Sequence, residues 1–402
     1  MSFRFGPTTL AIPGPSLVPE RVLRAMHRAS PNIYEGELVD MMEPMIADLK
    51  RVARTAHHAA IYIGNGHAAW EASIANVFSP GDKALVLVTG RFGLGWAEMA
   101  RSQGVETELL DFGTATPVDA VRVEERLRAD TAGELKAVLT VHTDTSSSAR
   151  NDIPAIRAAM DAAGHPALLM VDCIASLACE PFEMDAWGVD VMVAGCQKGL
   201  MTPAGLAFTF HSPKAAEAAT HAACRTSYWN WDLRSDPQLF YQRFAGTAPT
   251  HHLYGLREAL TMLLDEEGLE ACWARHQHLA ETLWAAIDRW AEGGALMCNI
   301  AEPGHRSIAV TTLRIDGLDA RHLRRWCEEA AGLTLGIGLG LGGATAPVAD
   351  DIFRIGHMGH LSAHNFLGTI ATIDAALKAL NVPHGSGAVE AATAQIAARA
   401  QV

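Results

Sequence analysis

Two short apolar runs constrain the fold of this chain more than any other feature. Residues 168–171, Leu-Leu-Met-Val, deliver Asp172, and residues 189–194, apolar but for Asp190, lead into Gln197, Lys198 and a loop carrying glycine and proline. Runs of this length suit strands buried on both faces, which is the situation of a parallel sheet covered by helices. Two neighbouring strand ends would then present one carboxylate and one amine.

The same pattern repeats on both sides of these runs. Strands are expected at 61–63, 84–88, 105–112, 137–142 and 205–211, separated by helical periodicity after residue 66, to about 102, and over 118–129. Strand and helix in alternation give an α/β chain with a mostly parallel, doubly wound sheet. Earlier, residues 1–15 are rich in proline and glycine and read as an arm outside the core, followed by helices from Pro19 and over roughly 36–56. Later come helices over 253–264 and 269–290, strands near 308–315 and a helix over 320–331, an α+β pattern. The division expected is an arm at 1–15, a large domain at 16–265, a small domain at 266–382 and an Ala/Gly-rich stretch at 383–402, either a loosely attached helix or a tail.

Composition removes several function classes. A formal charge of −13 with no Lys/Arg run argues against nucleic-acid binding. Apolar runs are too short to span a membrane, and the start lacks a signal-peptide pattern, so a cytoplasmic protein is expected. Seven scattered cysteines without CxxC spacing suggest neither disulfides nor zinc. His360 and His364, four apart, would share a helix face, but no third ligand is near, so no metal is expected. Gly338, Gly340 and Gly343 match GxGxxG only formally, because no ribose-binding acid follows.

The chemistry starts from Lys198. An ammonium beside an apolar strand is costly unless the amine is used, and pyridoxal phosphate (PLP) uses one by forming an imine with it. That cofactor also needs an acid for its pyridine nitrogen and donors for its phosphate. Alone, Asp172 could cap a loop and Lys198 could snorkel to the rim; on consecutive strand ends they favour the cofactor. At 61–69, strand, glycine turn and helix form the geometry that directs free N–H groups at a phosphate, or else a plain tight connection. Phe92, at the end of a strand, can stack on a heterocycle or cover the core, with Trp96 a second choice. The hydroxyl-rich loop at 143–148 follows another strand end. Arg354, flanked by apolar residues, suits a carboxylate ligand or a structural ion pair. The aromatic cluster at 228–231 reads as a subunit interface.

Several segments carry a family resemblance: IPGP (12–15), VDCIASL (171–177), FEMDAWGVDVMVAGCQKGLMTPAGLAF (182–208), LYGLREAL (253–260) and FRIGHMG (353–359). The chain resembles class V aminotransferases of PLP fold type I, in the alanine/serine/aspartate:glyoxylate group. The resemblance implies Lys198 as the imine-forming base and Asp172 as the acid at the ring nitrogen. It implies Gly66, His67 and Ala68 at the phosphate, Phe92 over the ring, and Thr145 or Ser146 at the phenolic oxygen, with Gln197 also binding cofactor. Gly14 in IPGP lies beside the substrate, and Arg354 clamps its α-carboxylate. Thr247 reaches the phosphate of the partner subunit in a homodimer whose active sites are shared, the amino-terminal arm crossing to that partner; Phe244 stands where the family usually has a tyrosine.

The implied reaction moves an amino group from a small L-amino acid to glyoxylate, giving glycine and a 2-oxo acid. L-Aspartate or L-serine is the expected donor, with alanine third. Arg225, Arg234 and Arg243, with Tyr228 and Asn230, are candidates to read a second carboxylate, each also open to an ordinary ion pair. Rival readings are another class V activity, pyridoxamine–pyruvate transamination or a lyase/desulfurase, and a scaffold that has lost its cofactor.

Overall fold

The alternating strands and helices close into a seven-stranded sheet in the computed structural model, which describes residues 2–342 and 347–399. Its order is His58–Gly64, Gly205–His211, Val191–Gly195, Leu168–Asp172, Leu135–Val141, Lys83–Val88 and Glu106–Asp111. The last five strands pair parallel throughout. Gly205–His211 runs antiparallel to both of its neighbours. Every residue of Leu168–Asp172 and Val191–Gly195 is buried, which is why these strands carry no polar alternation.

Side chains leave each strand on alternate faces and build two apolar layers. Leu85, Val138, Leu169 and Val171 face one layer, and Val86, Leu139, Met170 and Val193 the other. Each such side chain stabilises the fold by about 1.5–3 kcal/mol relative to exposure. The outer strand, Glu106–Asp111, is instead mostly exposed and carries Glu106, Glu108 and Asp111, charges that discourage further strand pairing.

A second sheet has the order Thr9–Ala11, Leu333–Leu339, Val348–Gly356, Val310–Ile315 and Leu296–Cys298. Its core joins Leu313 and Phe353 to Leu283, Ile287 and Trp290 of the helix Leu269–Ala291, and to Ile370 of Ala363–Ala379. The first turn of Leu269–Ala291, with Leu269 and Cys272, packs instead on the large-sheet core. One helix therefore ties the two cores together, directly after a π-helical turn at Met262–Glu267.

Several expectations are corrected. The arm is no mere appendage: Thr9–Ala11 pairs parallel with Leu333–Leu335 of its own chain, and Ala11 is buried in the small core. The tail is an ordered helix, Ala388–Arg399, lying along Leu269–Ala291 with Ala388 and Ala392 buried. Alanine gives close helix approach but little hydropathy contrast, which hid this element. The helix expected over 36–56 is two, Glu37–Asp40 and Met42–Ala53. His360 precedes the helix that starts at Ala363, so it shares no helix face with His364, which pairs with Ser362 Oγ at 2.9 Å. In the aromatic cluster, Trp231 is core, stacked on His211 at 4.0 Å, while Tyr228 remains partly exposed. Gly338 and Gly340 belong to the Leu333–Leu339 hairpin region, and Gly343 lies outside the described residues.

Candidate active site

At the carboxyl edge of the large sheet five strand ends converge on a cavity of about 260 Å³. Asp172 ends one strand, and Gln197 and Lys198 follow the next. Asn65, Gly66 and His67 follow His58–Gly64, Phe92 follows Lys83–Val88, and Thr143 and Thr145 follow Leu135–Val141. Ligand sites in such sheets form at this edge because the loops there are free to vary while the strands hold their ends in place.

The IPGP segment closes the cavity from the arm. Lys198 Nζ donates to the Pro13 carbonyl, and Ser16 Oγ donates to the Lys198 carbonyl at 2.7 Å. Gly14 has φ of +96°, and a side chain there would collide with Lys198 Nζ, so glycine is required on both counts. Burial, then the nearby Arg354 charge, pushes the Lys198 amine down to about 8, which gives it an accessible neutral form. Asp172 goes the other way. Burial raises its carboxyl to about 7, offset in part by the Ile174 N–H on Oδ1 at 2.7 Å and the Trp70 indole N–H on Oδ2 at 2.9 Å.

The helix Gly66–Val77 points its N-terminus at this cavity. Asn65 caps it, its side chain accepting from the His67 N–H at 3.1 Å, and Ala68 N–H is used by the Asn65 carbonyl. Among the described residues nothing accepts from the Gly66 N–H. A Cβ at Gly66 would press on the Ile174 side chain, which would have to move. Across the cavity Gln197 Oε1 is buried with no partner. The unpaired donor at the helix N-terminus is what a bound phosphate group would satisfy, and the Gln197 amide would add a donor once turned to present Nε2 in place of the orphan oxygen, so the set fits PLP.

Of the residues expected from sequence, Gly14, Gly66, His67, Phe92, Thr145, Asp172, Gln197 and Lys198 line this cavity. Ser146 does not; its hydroxyl donates to Asp144 Oδ1 at 2.6 Å and accepts from Arg91 N–H. Thr145 therefore has the better position of the two. Trp96 is buried and stacked on Trp70, leaving Phe92 as the aromatic on the cavity wall beside Trp70. Phe244 is buried against Phe240, and Thr247 lies exposed on a loop away from the cavity of its own chain.

Arg354 comes from the second sheet and is not itself among the cavity's lining residues; it stands behind one of them, Thr145. Its Nη1 donates to the Thr145 carbonyl at 2.7 Å and its Nε to the Ile337 carbonyl at 2.5 Å. Burial pushes this guanidinium down to about 10, and among the described residues no carboxylate forms an ion pair with it. A buried guanidinium with no acid in ion-pair contact, Asp144 acting on it only through its charge, is a receptor for a small anion. By contrast Arg225 pairs with Asp232 at 2.6 Å, Arg243 with Glu43 at 2.6 Å, and Arg234 is spent on the carbonyls of Ile61, Tyr228 and Arg243. None of the three lines the cavity.

Sequence reasoning passed over three residues. Asp144 Oδ2 accepts from Phe92 N–H at 2.9 Å and so holds the ring-bearing loop in place. Asn65 is the cap just described, and its position before a glycine-led helix was the available signal. Trp70 carried no sequence signal, since helical spacing says nothing about its N–H.

The Aminotransferase class-V family model matches residues 10–362. The chain belongs to the class-V aminotransferase family. It is 36% identical to a serine–glyoxylate aminotransferase of Methylorubrum extorquens, over 97% of this chain and 96% of that one. An L-aspartate–glyoxylate aminotransferase of Paracoccus denitrificans is 35% identical, with 94% of each chain covered. The crystal structure of pyridoxamine-pyruvate aminotransferase from Mesorhizobium loti superposes with a TM-score of 0.89 at 25% identity, covering 100% of both chains. The architecture of this class-V chain is thus that of PLP fold type I, and the protein is an aminotransferase.

Proposed function

We propose that this aminotransferase uses PLP to move the amino group of L-serine or L-aspartate, with alanine third, to glyoxylate. The observation that carries the reading is the placement of a buried Lys198 and a buried Asp172 on one cavity wall, opposite the free N-terminus of Gly66–Val77. Support for glyoxylate comes from relatives at 35–36% identity that are named for it.

When bound, PLP supplies an aldehyde that exchanges amino groups and a ring that accepts electrons from the substrate's Cα. Gly66, His67 and Gln197 would hold its phosphate, Phe92 would cover the ring, and Thr145 would meet its phenolic oxygen. Asp172 keeps a proton at the ring nitrogen through a charge-assisted hydrogen bond. Lys198 would hold the aldehyde and, once released, its neutral amine would take the proton from the substrate's Cα and carry it to the aldehyde carbon. Its depressed basicity suits this role, because a neutral amine is available near neutral pH. Arg354 orients the α-carboxylate, which both the amino acid and glyoxylate possess. One arginine thus serves both half-reactions.

The enzyme is read as a cytoplasmic homodimer in which Thr247 meets the phosphate across the subunit interface. Its exposure, together with exposed Leu239 and Tyr241 nearby, supports this. The pairing of Thr9–Ala11 with its own small domain removes the arm as an argument for the dimer. A desulfurase reading is not favoured: none of the seven cysteines lines the cavity, and burial pushes Cys179 up to about 12 and Cys196 to about 11.

A donor panel against glyoxylate, following glycine formation by purified protein with added PLP, tests the reading. Serine or aspartate should be turned over faster than alanine. Failure of all three with glyoxylate, alongside activity with pyruvate and pyridoxamine, would overturn it.

A further inference from the structure

Asp172 receives a hydrogen bond that the reaction scheme above does not use. Trp70 Nε1 donates to its Oδ2 at 2.9 Å, from the second turn of the same helix whose N-terminus faces the cavity. The indole is itself fixed on several sides. It stacks on Trp96 with centroids 6.2 Å apart, lies 4.6 Å from the His67 ring, and meets Phe92 edge-on at 6.2 Å. Trp70 is 1% exposed, so no water competes for its N–H. We propose that Trp70 is a positioning residue whose indole N–H keeps the Asp172 carboxylate ionised and turned toward the cofactor's ring nitrogen. This rests on the assignment of Asp172 as the acid at that nitrogen.

The physical reason is the imbalance around Asp172. Burial raises its carboxyl toward the neutral form, and the charge of Asp144 pushes the same way. A neutral carboxyl would have its own proton to place and would leave the ring nitrogen without a counter-charge. Lys198, the Ile174 N–H and the Trp70 N–H oppose this, while Cys173 stays neutral beside it because burial raises its thiol. His67, against the indole, is held neutral by burial and by Arg91, and Arg354 acts on Lys198. Of the groups favouring the carboxylate, Lys198 would be committed to the cofactor's aldehyde. The two neutral N–H donors remain. Trp70 supplies the one that comes from a side chain, and a hydrogen bond to a charged acceptor is stronger than one to a neutral acceptor.

The first test needs no cofactor. In the PLP-free protein labelled with ¹⁵N-tryptophan, one of the nine indole N–H resonances should move with a midpoint near pH 7, and that movement should vanish in Asp172→Asn. No indole resonance sensitive to Asp172 would overturn the proposal. The second test is a double-mutant cycle on PLP affinity, read by fluorescence titration of the apoprotein. Trp70→Phe should weaken binding about tenfold when Asp172 is present and less than about threefold in the Asp172→Asn background. Equal losses in both backgrounds would assign Trp70 to packing alone. An unchanged affinity in Asp172→Asn itself would overturn the assignment of Asp172, and this role with it. Should Trp70→Phe fail to fold, the resonance test still decides.

Discussion

The guanidinium of Arg354 donates to the carbonyl of Thr145 at 2.7 Å, so a small-domain residue grips the loop that forms one wall of the cavity. The carbonyls of Thr145 and Ile337 fix the fork, and its remaining N–H groups have no acid among the described residues. A substrate carboxylate arriving there would meet a receptor already ordered.

Arg354→Ala should therefore raise KM for every amino donor and for glyoxylate together, by about tenfold to a hundredfold for a contact worth about 1.5–3 kcal/mol. Arg354→Lys should recover little, because an ammonium cannot reproduce the planar fork. Steady-state kinetics with serine and glyoxylate varied in turn would check this. A loss confined to one of the two substrates would contradict it.

Arg225→Ala and Arg243→Ala should leave the ratio of kcat/KM for aspartate over serine within about threefold of the parent, because each arginine is already paired, with Asp232 and Glu43. If either change selectively raised KM for aspartate, the second carboxylate would be read by this segment after all.

Much of this was legible in the chain. Residues 168–171 and 189–194 read as buried strands, which the structure has at Leu168–Asp172 and Val191–Gly195, and Asp172 and Lys198 stand at and just beyond their ends as expected. The opposite direction of Gly205–His211 was not legible, because an apolar strand reads the same in either direction. Nor was the place of Thr9–Ala11, whose partner Leu333–Leu335 lies far along the sequence. Ser146 and Thr145 differ by one residue, and in a turn that one residue decides which lines the cavity and which has its hydroxyl held by Asp144. Trp70 and Asp144 were missed for a common reason: each acts through a hydrogen bond to a residue distant in sequence.

Capture of PLP by the apoprotein should accelerate with rising pH, with a midpoint near 8, because the amine that attacks the aldehyde must be neutral and burial lowers Lys198 to about 8 from the usual lysine value. Below that pH the amine is protonated and slow; above it the rate should level off. Stopped-flow absorbance would follow the step. A rate still climbing toward pH 10 would mean that Lys198 is not desolvated as the structure has it.

Asp172→Asn should slow turnover by at least about a hundredfold while PLP affinity falls only about tenfold, since the amide fills the same space but supplies no negative charge at the ring nitrogen. Single-turnover kinetics at saturating PLP separates the two effects. An unchanged rate would remove Asp172 from the chemistry.

The central claim is that Lys198 carries the cofactor. Holoprotein reduced with borohydride and digested should yield one peptide bearing a pyridoxyl group, and fragmentation should locate it on Lys198; the Lys198→Ala variant should yield none and lack the visible absorbance of the loaded protein. Labelling of Lys50, Lys214 or any other lysine in the unaltered protein, or retained visible absorbance in Lys198→Ala, would contradict the assignment of this site.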